Sequence, residues 1–214
     1  MNRLIWLGKN KMLTFIKKHC YLNFDFMTIL FVLSAVLLFP LVAVLPEKYG
    51  YENGLIENMQ MFVLFVGFYL SLTVKEYKKL FIFVAMVLSI LILREVNCGR
   101  TLFFAVPGKE NTFYKWKELT YGYLVHPAFG FYIMMVLFYF IKNKLFADVW
   151  QLIKCFRFPV LSIICFLSSA ALGMYAERKM HNFVVEEFAE LLVYIFFVQM
   201  LWMYSRQKVK TVIS

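Results

Sequence analysis

Residues 186–204 read EEFAELLVYIFFVQMLWMY: three glutamates in the first five positions, then fourteen residues without a charge. On a helix advancing 100° per residue, Glu186, Glu187 and Glu190 fall within a 100° arc, with Tyr194 a turn deeper on the same side. That spacing lets all three carboxylates face one cavity. Glu190 lies about two turns inside an apolar run, where a carboxylate is costly unless it is paired, hydrated or neutral. The stretch is therefore either the polar cap of a buried helix or part of a site.

The rest of the chain has the same character. It is 214 residues long, 62% hydrophobic, 20% aromatic and 17% charged, with a mean hydropathy of +0.69. That is more apolar surface than one soluble core can hide, so the sequence reads as a membrane protein. Cys20, Cys98, Cys155 and Cys165 form no CxxC pair and no metal-ligand spacing, and suggest no disulfide framework. Residues 1–25 interleave basic charges with apolar side chains and contain no long apolar core before a small-residue cleavage site. A cleaved signal peptide is not expected. No GxSxG, P-loop or dinucleotide fingerprint is present.

Apolar runs predict an all-α, polytopic protein with six spans at about 26–45, 57–74, 80–98, 120–141, 158–176 and 184–204. They form one membrane domain, 26–205, between a basic interfacial segment, 1–25, and a basic tail, 206–214. The third run has only fourteen residues, 80–93, before Arg94, so its span must borrow from REVNCGR. With both termini inside, fifteen of the 23 Lys and Arg residues but only three of the 13 acids fall on the inner side. The positive-inside rule selects this N-in, C-in arrangement. The net charge of +10 is then a topology signal and a contact with anionic lipid heads, and nucleic acid is not an expected partner. Residues 4–16 and 143–157 each carry apolar side chains among polar ones, the latter at helical spacing, and predict short amphipathic helices on the cytoplasmic surface.

This topology brings the ionisable ends of spans two to six to one outer face. Glu57, Glu95, Glu190 and His126 are the candidate acid–base residues. Glu186, Glu187, Glu190, His126 and His181 are the candidate ligands of a divalent metal ion, since oxygen donors with a nitrogen suit a hard or borderline cation. Arg94, Arg100 and Glu177 are candidates for ion pairs or substrate contacts. Each has a plainer reading. Glu57 in a first helical turn favours the helix dipole, His126 beside Pro127 satisfies a neighbouring helix, and the whole cluster stitches helices together through Arg94, Arg100 or Arg178. Ser169 and Gly173, in small-xxx-small spacing, predict close helix packing.

Three blocks carry a resemblance. Glu52-Asn53-Gly54-Leu55-Ile56-Glu57-Asn58, Arg94-Glu95-Val96-Asn97-Cys98-Gly99-Arg100-Thr101-Leu102-Phe103 and Glu186-Glu187-Phe188-Ala189-Glu190-Leu191 resemble, in order, the EDGxxEW, GEEISWGQRLF and EExxEL blocks of an uncharacterised bacterial multi-span membrane protein family. Arg94 stands where that family has an acid, Cys98 where it has tryptophan and Arg100 where it has glutamine. The resemblance implies the architecture and the location of the site but no reaction. A fainter analogy is to the alkaline ceramidase and adiponectin-receptor superfamily, whose SxxxH and HxxxH motifs this chain lacks.

The functional expectation is an integral protein of the bacterial cytoplasmic membrane, in contact with membrane lipid. Its outer Glu/His/Arg cluster would serve a metal-assisted or acid–base hydrolase or transferase acting on a lipid-like substrate. A transporter or ligand-binding protein using the same carboxylates, and a structural or assembly subunit with a buried ion-pair network, are the alternatives.

Overall fold

The computed structural model describes residues 20–21, 26–109, 111–155 and 158–206. The expected amphipathic segment 4–16 and the tail beyond 206 lie outside the described residues. The described residues are mostly helical: α1 (Phe26–Ala43), α2 (Leu55–Thr73), α3 (Lys78–Glu95), a one-turn α4 (Arg100–Phe103), α5 (Gly122–Lys142), α6 (Leu145–Cys155), α7 (Val160–Tyr175) and α8 (Phe183–Arg206). Among the described residues the extended pieces are a parallel pairing of Cys20–Tyr21 with Phe158–Pro159 and a bridge between Ala105 and Phe113.

Most helix ends fall within a few residues of the apolar run that predicts them, because charges and turn residues bound each run. Four residues, 74–77, join α2 to α3 and force them antiparallel, with Tyr77 left-handed at φ 49°. A π turn, Ala176–Met180, followed by left-handed His181 reverses the chain between α7 and α8. The amphipathic segment near residue 150 is a separate helix, α6, which buries Leu145 fully while Phe146 and Trp150 stand exposed.

α8 is the hub. It packs along α7 and α2, α3 packs on α2, and α1 lies against α8. Its buried residues include Val184, Val185, Phe188, Ala189, Leu191, Leu192, Tyr194 and Phe196, which cover more than half of the helix's circumference rather than one stripe. A helix apolar on all sides is one enclosed by its neighbours. Its side chains join two apolar clusters. One lies with Val42, Ile56 and Ala176, and the other with Leu64, Phe81 and Leu88. α2 answers with a helical stripe, Ile56, Gln60, Leu64, Gly67 and Ser71. At Gly67 an added Cβ would stand 2.6 Å from Val198 Cγ2, so hydrogen alone allows the α2–α8 approach. At Gly173 an added Cβ would stand 3.6 Å from the Ala189 Cβ, an ordinary contact, so the α7–α8 approach does not require a glycine there as its spacing with Ser169 predicts.

The outer surfaces are apolar. Leu37, Phe62, Phe131, Phe138 and Leu167 are all exposed, far beyond the isolated apolar patches of a soluble monomer. Three helical stretches, Glu47–Thr73, Gly122–Lys142 and Val160–Met180, are long and apolar enough to cross a membrane, and a fourth is if Lys78–Glu95 and Asn97–Phe103 count as one span bent by 55°. That is fewer than the six expected. The apolar helix of α1 is short, at Thr28–Ala43, and α8 begins with its three glutamates. The expected third span does not run straight through REVNCGR. Asn97, Cys98 and Gly99 take φ of 46°, 52° and 89°, a left-handed run that no α-helix accommodates.

Candidate functional site

The break after α3 is what positions the site. Three successive left-handed residues, two of them with side chains, are costly and are held by their surroundings. The Asn97 amide, with its oxygen toward Arg100, accepts from Nε at 3.2 Å and Nη2 at 2.7 Å, and Arg100 Nη2 lies 3.5 Å from Glu52. The facing connection is tied to the same turn. Asn53 donates its side-chain N–H to the Thr101 carbonyl, and Glu57, in the first turn of α2, reaches back to accept from the Asn53 backbone N–H. Glu57 thereby ties the residue before the Gly54 N-cap back onto the first turn of α2. The last turn of α3 is held beside the first two turns of α8.

There Arg94 joins the two helices. Its Nη2 lies 2.6 Å from Glu190 Oε2 and 2.9 Å from Glu95 Oε1, and its Nε donates to Glu95 Oε1 at 3.0 Å. Tyr194 donates its hydroxyl to the same Glu95 oxygen at 2.6 Å. Glu95 is nearly enclosed, with its side chain 7% exposed, while Arg94 is 53% and Glu190 33% exposed. On the α2 side, Gln60 donates Nε2 to Glu187 Oε2 at 2.9 Å and to the Glu187 carbonyl at 2.8 Å, leaving its own fully buried Oε1 without a partner among the described residues. Glu187 is within electrostatic reach of Glu190, Glu95 and Glu57. Two of these four carboxylates, Glu95 and Glu190, share the Arg94 guanidinium, and Glu187 and Glu57 do not touch it. The remaining charge must be offset by protons, a cation or water.

A groove of about 450 Å³ opens beside this cluster, with α8 as its floor and α3 and α7 as its walls. Val87, Leu91, Phe166, Ala170, Val193 and Phe197 line its apolar length, and Arg94, Glu177, Glu186, Glu190 and Tyr194 gather at one end. Its volume is that of a small-molecule site.

The expected site residues separate accordingly. Glu186, Glu190 and Tyr194 face the groove, but Glu187 does not. One residue on from Glu186 turns it 100°, enough to aim it at Gln60 of α2, so the three glutamates do not share one cavity. Glu95 supports Arg94 and Tyr194 from behind, Arg100 works in the turn, and Glu177 sits on the groove's rim. The two candidate histidines, His126 and His181, are not brought to the carboxylates. Phe83 on Phe140 and Ser89 on Tyr132 set the α3–α5 register, which puts His126 near the level of Glu95. α5, however, packs mainly on α3 and, among the described residues, has no comparable packing on α8, and the exposed His126 ring stands edge-on to Trp116 with centroids 6.4 Å apart. His181 is the exposed left-handed residue of the α7–α8 turn. Among the described residues no three His, Cys, Asp or Glu side chains are placed to hold a metal ion; the expected ligand set Glu186, Glu187, Glu190, His126 and His181 is spread over three separate places.

Two further polar groups lie in the core, outside the candidates that the sequence suggests. Gln199 donates to Thr28 across α8 and α1, and its signal was available: it is the one amide in an otherwise apolar run. Thr101, buried beneath the Asn53 contact with its hydroxyl unpartnered among the described residues, carried no such signal. No protein-family model, no curated protein and no solved structure matches this chain.

Proposed function

We propose that this chain is a six-span protein of the bacterial cytoplasmic membrane, with both termini inside, related to the multi-span family its three blocks resemble. In this reading it is a hydrolase or transferase acting on a lipid-like substrate at its outer face. One observation carries the reading: an apolar groove that runs about 10 Å along α8, from Glu190 to Phe197, and ends at the Arg94–Glu190 pair. An amphiphile entering from the membrane would lay its chain along this groove and bring its polar linkage to that pair. Glu190 uses Oε2 on Arg94, which leaves Oε1 to take a proton from an attacking water or alcohol. As that oxygen bonds to the carbonyl carbon of the substrate, Arg94 Nη1 steadies the developing oxyanion, and Glu190 then passes the proton to the departing oxygen or nitrogen. Glu95 and Tyr194 are positioning residues, holding the guanidinium in place.

The test compares wild type with Glu190→Gln, each reconstituted in vesicles of phosphatidylethanolamine and phosphatidylglycerol, with lipid products followed by mass spectrometry. General acid–base catalysis contributes about 10²–10⁴-fold, so turnover should fall at least 100-fold. The melting temperature should barely change, because Arg94 keeps Glu95 and a half-exposed pair is worth about 1 kcal/mol or less. A stable variant with undiminished turnover removes Glu190 from the chemistry. Loss of folded yield in step with activity, or a wild type that turns over no lipid, favours the structural reading, in which Arg94 simply bolts α3 to α8.

A further inference from the structure

The charge at the groove's mouth specifies the head of the amphiphile. Its rim carries three acids, Glu177, Glu186 and Glu190, and one cation, Arg94. Arg94 is already engaged by Glu190 at 2.6 Å and Glu95 at 2.9 Å, so it offers hydrogen-bond donors but no uncompensated positive charge. Glu186 and Glu177 are in the opposite condition: among the described residues neither has a cation within ion-pair distance, although Arg178 and Lys179 follow Glu177 directly. The first backbone donors of α8 add little pull for an anion. Asn182 Oδ1 already accepts the Val185 N–H at 3.1 Å, and Glu186 occupies the first turn. A phosphate brought to this rim would meet three carboxylates and one neutralised guanidinium. An ammonium would meet two unpaired carboxylates, to which it can donate charge-assisted hydrogen bonds.

We infer that the α3–α7–α8 groove takes an amphiphile whose head bears a protonated amine, with the chain along Val193 and Phe197 and the amine between Glu186 and Glu177. The assignment rests on the groove being the substrate site. Arg94 then serves the carbonyl or ester oxygen nearer the chain, and the two unpaired acids sort head groups.

The probes are three dodecyl amphiphiles carrying a diazirine on the chain and, as heads, a primary amine, a phosphate or a glucose. Each is photolysed with the full-length protein in phosphatidylcholine nanodiscs, and labelled peptides are located by mass spectrometry. The amine probe should label the Val193–Phe197 segment at least tenfold more than the phosphate probe, with glucose between them. Glu177→Gln combined with Glu186→Gln should bring the amine and phosphate yields within twofold of each other while groove labelling persists. Neither carboxylate holds an ion pair or side-chain hydrogen bond among the described residues, so the double variant should elute and melt as wild type does. If it unfolds, the wild-type head-group ranking alone decides. Equal labelling by all three heads, or a preference for phosphate, overturns the amine assignment and leaves the groove as a lipid site. Absence of groove labelling by every probe overturns the substrate site itself, and the assignment with it.

Discussion

Arg94 carries two obligations at once. It pairs with Glu190 across the helix interface and with Glu95 on its own helix, yet its side chain is 53% exposed. Exposure decides the magnitude. A fully buried pair that loses one partner costs about 3–5 kcal/mol, whereas here the main loss is to Glu95, enclosed and left with only the Tyr194 hydroxyl. Arg94→Ala should therefore destabilise the protein by about 1–3 kcal/mol, more than Glu190→Gln, and Lys109→Ala, on an exposed turn, should have no effect. Thermal melts of the three variants in one detergent make the comparison, and an Arg94→Ala melt equal to that of Lys109→Ala would dissolve the network. The Arg94 partnership has an acidic candidate list in the sequence, because a cation at the end of a short apolar run needs compensation. Which acid answers is settled by the 96-residue separation between Arg94 and Glu190 being closed in space.

The helices show the same division. Their bounds were legible because each apolar run stops at charges or turn residues, and the amphipathic helix α6 followed from its period alone. What the period did not reveal is which helix sits at the centre. α8 is apolar on every side, a pattern equally suited to a lipid-facing span and to an enclosed hub, and only contacts with α2 and α7 distinguish them. Gly67 shows how tight that enclosure is. Gly67→Ala places a methyl group 2.6 Å from Val198 Cγ2, an overpacking that should cost about 1–3 kcal/mol. Val198→Ala in the same chain should restore part of the loss, because the two side chains compete for one space. A double variant melting no higher than Gly67→Ala alone would mean that α2 and α8 do not approach at this point.

For the whole molecule, the proposed topology places the Arg94–Glu190 pair outside. A reporter fused after Ser214 should be cytoplasmic and one inserted near Lys109 external; an external C-terminal signal would invert the site and leave the proposed substrate face in the wrong leaflet. The sequence by itself determined the helical class, the approximate bounds of the apolar helices and the gathering of carboxylates toward one end. These are properties of composition and period, which the chain carries locally. The tertiary structure alone decided that Asn97, Cys98 and Gly99 bend the chain by 55° at the end of α3, that Glu187 turns to Gln60 while Glu186 and Glu190 turn to the groove, and that His126 and His181 remain apart from all of them. The physical reason is that a helix fixes the angle between its own residues but not its rotation against its neighbours. That rotation is chosen by packing, and here the packing of α2, α3 and α7 around α8 chose which charges meet.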